Sequence, residues 1–324
     1  MESTLFQNIV IYRLPHQKQL QLFRSGEGNS KFVFSTFLKE SKQITMLGQV
    51  QAINEEKLES IFSDLVLLSS SDCRSSKKEE YIALVDLAKS CIHSGQFDKV
   101  VLAGKKWVSS DIDVLKIYAE LLEKNPNAFV YASFIDGEIM IGASPELLLE
   151  RDAEQLQTVA LGGTETRGVY SEKEKIEHQQ IQAYIESVLK GNGYNFIKHE
   201  TNSFKAASVS HLITPYSMKS KGLDNDLDLI TQLHPTSAIC GLPYQESLDF
   251  IKDNEGFDRR FYAGYLGAVE ANGNFKLYVN LRCAQLYKDG AMLYAGAGIN
   301  ELSSAEDEWA EINNKMQTIA QCLK

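Results

Sequence analysis

The tightest constraint on this chain is the placement of turn-forming dipeptides inside apolar runs. Asp136-Gly137, Asn272-Gly273 and Asp289-Gly290 each separate two stretches of strand character. An Asx-Gly pair between alternating segments is the sequence form of the β-hairpin, because its turn twists with the strands it joins. FVYASFID and EIMIGASPELLLE therefore read as one hairpin, and RRFYAGYLGAVEANGNFKLYVNLRCAQLYKDGAMLYAGAGI as an antiparallel meander.

Helices are read between and around these strands. In EEYIALVDLAKSCIHSG, Tyr81, Leu84, Val85, Ala88 and Ile92 recur at helical spacing and Gly95 is placed to stop the helix. FDKVVLAGKKWV follows as a strand and DVLKIYAELLEKN as a helix. SEKEKIEHQQIQAYIESVLKGNG reads as a long helix with Ser171 and Glu174 forming a capping box and Gly191 at its end. SSAEDEWAEINNKMQTIAQCLK closes the chain as a helix capped by Ser303 or Ser304. Hairpins outnumber crossovers, so the fold class is α+β, with antiparallel sheets covered by helices. SSSDCRSSKKEE, residues 69–80, is a surface linker between a weakly patterned N-terminal quarter and the rest, either between lobes or within one domain.

The bulk numbers narrow the function. At 324 residues and 44% apolar, the chain can enclose a buried site in one large domain or two smaller ones. A formal charge of −10 argues against a nucleic-acid backbone as partner. No apolar run of about eighteen residues is present and the N-terminus lacks a leader-like pattern, so no membrane association and a cytoplasmic location are expected. Cys73, Cys91, Cys240, Cys283 and Cys322 are widely separated and form no CxxC pair, as expected of reduced, partly buried thiols.

Two helices each carry carboxylates three residues apart, Glu174 with Glu177 and Glu308 with Glu311. Such pairs lie on one helix face and together would suit a hard cation such as Mg2+. Each also has an ordinary explanation: Glu174 in a capping box, Glu308 in an acidic first turn, and Glu311 in a surface ion pair with Lys315. Lys99 at the mouth of an apolar strand is either a desolvated base or a solvated strand flank. Glu146, before the run Leu147 to Leu149, is a buried acid or a polar strand edge. LGGTETRG and YAGAGI could bring backbone N–H groups to an anion or simply form turns. Arg282 in YVNLRCAQL would clamp a carboxylate if it faces inward. His211 and His234 read as satisfied core or cap histidines.

FDKVVLAG, GASPELLLER, LGGTETRG, KEKIEH, SHL, HPTSAICGLP, DRRFYAGYLG, NLRCAQL, LYAGAGI and EWAEINNK, in this order, resemble successive signatures of the chorismate-utilising enzymes. That family contains isochorismate, salicylate, anthranilate and aminodeoxychorismate synthases. The resemblance covers about residues 79–324; residues 1–75 are then a divergent N-terminal part of the same fold and 76–324 the chorismate-binding core, in one structural domain.

The resemblance implies two large stacked antiparallel sheets with helices outside. It implies Glu177 and Glu311 as direct Mg2+ ligands, with Glu174 and Glu308 behind them. It also implies Arg282, Tyr262 and the Gly296 backbone around the enolpyruvyl carboxylate, Gly163 and Thr164 against the ring carboxylate, Lys315 in the substrate site, and His211 near the ring. Anthranilate synthases typically carry glutamine where Lys99 stands, and aminodeoxychorismate synthases a lysine where Gly162 stands. Water is thus the implied nucleophile, with Lys99 as base and Glu146 as acid, and isochorismate the implied product. Salicylate synthase is the alternative, while retention of Lys99, Glu146, Glu177 and Glu311 argues against an inert relative. The chain departs from the commoner pattern at LGGT and at Ile312. No glutamine amidotransferase subunit is implied, and a monomer is expected.

Overall fold

The computed structural model describes residues 8–40, 43–165, 168–206 and 209–323. Thr166 and Arg167 of the LGGTETRG segment lie outside the described residues. In chain order the strands are β1 (Ile9–Arg13), β2 (Leu20–Phe34), β3 (Ile44–Ile53), β4 (Lys99–Ser109), β5 (Phe129–Ile135), β6 (Glu138–Ser144), β7 (Leu147–Asp152) and β8 (Gln155–Thr164). They continue as β9 (Phe196–Lys198), β10 (Asn202–Ala206), β11 (Val209–Lys219), β12 (Gly241–Leu242), β13 (Tyr265–Val269), β14 (Phe275–Val279), β15 (Cys283–Tyr287) and β16 (Gly290–Ile299). The helices are α1 (Glu56–Phe62), α2 (Lys78–His93), α3 (Val114–Lys124), α4 (Glu172–Gly191), α5 (Leu223–Leu233), α6 (Tyr244–Asn254) and α7 (Ala305–Ala320).

Among the described residues the strands form one hydrogen-bonded path, β10-β11-β8-β7-β14-β13-β2-β1-β5-β6-β15-β16-β4-β12, with β3 added on β2 and β9 on β11. The pairings along it are antiparallel, as expected from the hairpin count. The two stacked layers are the halves of this path, joined where β1 pairs β2. They meet again face to face through strands that are not neighbours. Phe129 of β5 stacks on Tyr278 of β14 with centroids 4.6 Å apart. The Tyr131 hydroxyl of β5 donates to Asn280 Oδ1, just past β14, at 2.6 Å. The apolar interior is thereby shared by both halves.

The turn signals act in three different ways. Asp136 and Gly137 both take left-handed φ, 52° and 83°, which is the type I′ hairpin their sequence suggests. Val269 and Phe275 are instead joined by a longer loop in which Gly273, at φ 84°, donates its N–H to the Glu270 carbonyl. At the third, Gly290 already pairs with Tyr287 inside the ladder, and a Cβ there would stand 2.4 Å from the Val108 carbonyl of β4. Close strand approach, together with a φ of 156° that L side chains rarely adopt, is what requires that glycine.

α4 starts in the expected capping box of Ser171 and Glu174 and ends at Gly191, with Gly193 at φ 69° as the left-handed stop just beyond. α4 packs on β8 and α7 on β16, so their first turns approach each other from opposite halves of the sheet. The segment 69–77 runs without helix or strand and is tied to β4, the Ser76 N–H donating to the Lys105 carbonyl at 2.8 Å. Among the described residues no helix is long and apolar enough to cross a membrane.

Candidate active site

A narrow cavity lies between the two halves of the sheet. Glu146, Gly163, Thr164, Glu177 and His211 line it, facing Tyr262, Arg282, Gly296 and Lys315. Lys99, Glu174 and Glu311 stand against these lining groups, not on the wall itself, and Glu308 lies further back against Lys173. Residues read separately along the sequence are thus gathered in one place by the folding-back of the sheet.

Lys99 opens β4 and is fully buried, its Nζ 3.1 Å from Glu177 Oε1. The solvated-flank reading does not hold. Burial lowers its pKa, and the Glu177 carboxylate works against that fall. Glu146 lies in the break between β6 and β7 and is 4% exposed. Burial pushes its carboxyl up to about 8, opposed by Lys99 and Lys315. The two groups are displaced towards each other, as a lysine base and a carboxylic acid working near neutral pH require.

Arg282 is not inside a strand. It sits between β14 and β15 with φ 48°, a left-handed conformation that costs a non-glycine residue about 1 kcal/mol or more and clusters at functional sites. Its Nη1 donates to Thr318 Oγ1 at 3.1 Å and its Nη2 to His211 Nε2 at 3.0 Å. Among the described residues no carboxylate pairs with it, although it is 6% exposed. Burial draws the guanidinium down to about 10. A buried cation beside a cavity, without a counter-ion, is a place for an anion.

An arginine only donates, so His211 accepts at Nε2 and is held as the neutral imidazole with its proton on Nδ1, which stands 3.4 Å from Thr164 Oγ1. Burial and Arg282 together bring its pKa down to about 3. His234, by contrast, is an ordinary core histidine: its Nε2 is 3.1 Å from the Thr36 carbonyl and it meets Tyr265 edge to face.

The carboxylate pairs converge from the first two turns of α4 and α7; Glu174 and Glu308 stand in the first turn, where the helix dipole favours negative charge, and Glu177 and Glu311 one turn on. Glu311 Oε1 accepts from Thr164 Oγ1 at 3.0 Å and pairs with Lys315 Nζ at 2.6 Å. Both partners of that ion pair are only 16% exposed, so the surface-pair reading is wrong. Lys315 also donates to the Gly296 carbonyl at 2.8 Å. Burial raises Glu308, whereas at Glu311 Lys315 and Lys173 outweigh burial and lower it.

Lys173, which the sequence reading passed over, lies among all four carboxylates: its Nζ is 2.8 Å from Glu308, 3.9 Å from Glu177 and Glu311, and 4.0 Å from Glu174. Its four-residue offset from Glu177 was the signal available. Among the described residues no three His, Cys, Asp or Glu side chains form a ready metal site, and the Lys173 ammonium stands between the carboxylates. The donor set nevertheless fits a hard cation: three buried carboxylates and the nearly enclosed Glu311 surround the Lys173 ammonium, with Glu308 Oε2 buried and without a hydrogen-bond partner.

Gly298 was also missed as an individual. A Cβ there would stand 2.3 Å from Glu177 Oε1 and 3.0 Å from Lys99 Cε, so its hydrogen is what lets this pair form. At Gly296 a Cβ would stand 2.9 Å from the Tyr262 hydroxyl. Gly163, at φ 72°, passes the Glu174 carbonyl so closely that a Cβ would come to 2.7 Å.

A family model described as chorismate binding enzyme matches residues 18–324. The chain belongs to the chorismate binding enzyme family. It is 31% identical over 253 residues to isochorismate synthase EntC of Escherichia coli K12, a match covering 73% of this chain and 65% of that protein. It is 29% identical over 262 residues to isochorismate synthase MenF of Bacillus subtilis, covering 76% of this chain and 56% of that one. The matched stretch is thus less than two thirds of the length of either relative. A solved structure from Bacillus anthracis, described as a proposed 2,3-dihydroxybenzoate-specific isochorismate synthase, DhbC, superposes with a TM-score of 0.82 at 25% identity, covering 97% of this chain and 96% of that one.

Proposed function

We propose that this protein is an isochorismate synthase that converts chorismate to isochorismate with Mg2+ as cofactor. The observation that carries the reading is the opposed pair at the cavity: a fully buried Lys99 with a lowered pKa and a buried Glu146 raised to about 8. Lys99 takes a proton from water as its oxygen bonds to carbon 2 of the ring. Both ring double bonds shift by one position, the carbon 4 C–O bond breaks, and Glu146 supplies the proton with which that hydroxyl leaves as water. One water enters and one departs, so substrate and product are isomers. General acids and bases of this kind each contribute about 10²–10⁴-fold.

Arg282, with Tyr262 and the Gly296 backbone, holds the enolpyruvyl carboxylate. His211 is a positioning residue here, because its Nε2 lone pair is already committed to Arg282. Gly163 and Thr164 border the ring carboxylate, and Lys315 ties the Gly296 strand to Glu311. Glu177 and Glu311, backed by Glu174 and Glu308, would hold Mg2+, which neutralises the ring carboxylate when bound.

The test is to incubate the purified chain with chorismate and MgCl2 and to separate the products by chromatography. Isochorismate is expected. Salicylate with pyruvate would assign the alternative chemistry, and unchanged chorismate would refute the reading.

A further inference from the structure

Lys173 holds an unusual position in the first turn of α4. Each of the four carboxylates directs one oxygen to within 4.0 Å of its Nζ. The outer oxygens are taken elsewhere, Glu177 Oε1 by Lys99 at 3.1 Å and Glu311 Oε1 by Lys315 at 2.6 Å. The inner ones, Glu177 Oε2 and Glu311 Oε2, face Lys173. Its side chain is only 10% exposed, and its backbone carbonyl accepts from Asn300 Nδ2 at 3.4 Å, fixing the turn that carries it.

Two physical consequences follow. Four carboxylates crowded this far from water repel one another, and the ammonium at their centre, with Lys99 and Lys315 at the edges, offsets this in the metal-free protein. A divalent ion drawn to the same oxygens would meet that ammonium at contact distance, where like charges exclude each other.

We propose that Lys173 is a built-in counter-ion that fills the carboxylate cluster when metal is absent, and that Mg2+ binds by displacing its ammonium from the inner oxygens. The inference rests on the metal reading above and extends it: Lys173 sets how tightly the site takes the metal, trading affinity for a metal-free state that stays folded.

Calorimetric titration of MgCl2 into metal-stripped protein, without substrate, tests this. Lys173→Met should bind Mg2+ at least about tenfold more tightly than the wild type, because the competing charge is gone. Its thermal midpoint in metal-free buffer should lie below that of the wild type, and saturating MgCl2 should raise it by more. Lys173→Arg keeps the charge and should bind no more tightly than the wild type, which preserves a test if the Met variant cannot be prepared without metal. Equal or weaker binding by Lys173→Met, or tighter binding by Lys173→Arg, overturns the inference while leaving the metal reading intact. No Mg2+ binding by any form, with turnover surviving chelation, removes both.

Discussion

Replacing Glu146 by glutamine should stabilise the protein while stopping its chemistry, and the size of the gain should depend on pH. Burial raises the carboxyl from an ordinary 4.5 to about 8. In the unfolded chain it ionises near 4.5, so between these values the native state holds a proton that the unfolded state has released. Stability then falls as pH rises across that window. At about 1.36 kcal/mol per unit, the group costs about 1 kcal/mol at pH 5, about 3 at pH 7 and about 4 at pH 8, relative to strongly acid solution. At 4% exposure little solvent screening reduces these figures. Glutamine has nearly the same shape, is neutral throughout and carries no such penalty.

Thermal or urea unfolding of wild type and Glu146→Gln across pH 5 to 8 measures the difference directly. Contributions from all other titrating groups largely cancel between the two proteins. The variant's advantage should widen steadily with pH, while turnover is lost by at least about a hundredfold. A difference that stays flat with pH, or an advantage that shrinks, would show that Glu146 is ionised in the native state and cannot be the acid. In the wild type the same carboxyl should make turnover fall as pH rises through about 8, since the protonated form is the working one.

Other consequences are equally direct. Lys99→Ala should lower turnover by at least about a hundredfold while chorismate still binds through Arg282, as read by equilibrium binding. Gly298→Ala should cut activity sharply, because its Cβ would intrude on Glu177 and Lys99; Gly191→Ala, with nothing within 4 Å, should leave activity unchanged and stabilise α4 by about 0.5–1 kcal/mol. Chelation of divalent metal, or Glu311→Gln, should abolish most turnover, followed as isochorismate formed. Supplying ammonia or glutamine should give no aminated product, and anthranilate detected by fluorescence would overturn water as the nucleophile.

What could be read from the sequence was what is local and periodic. The helix at Lys78–His93, the Asp136-Gly137 hairpin and the carboxylate pairs at three-residue spacing follow from patterns within a few residues, and the structure contains each of them. Burial is not local in this way. Glu311 with Lys315 has the spacing of a surface pair, and only the approach of β8 on the opposite half, bringing Thr164 to Glu311, encloses it. Lys173 likewise looks like one more charge on a polar helix start until α7 arrives with Glu308 and Glu311.

The functional side chains also gather where regular elements stop. Glu146 occupies the break between β6 and β7, Arg282 the left-handed step between β14 and β15, and the four carboxylates the opening turns of two helices. Strand alternation could not place Arg282, because the strand has ended before it. A side chain in a strand interior is committed to one face, and one in a helix interior to one stripe. At a break the backbone is free to aim a group that the regular pattern would point elsewhere. A chain whose strands form one sheet folded back on itself has such breaks on both sides of one cavity, and there a base, an acid and a cation-holding cluster can be brought together from segments more than two hundred residues apart, as Lys99 and Glu311 are.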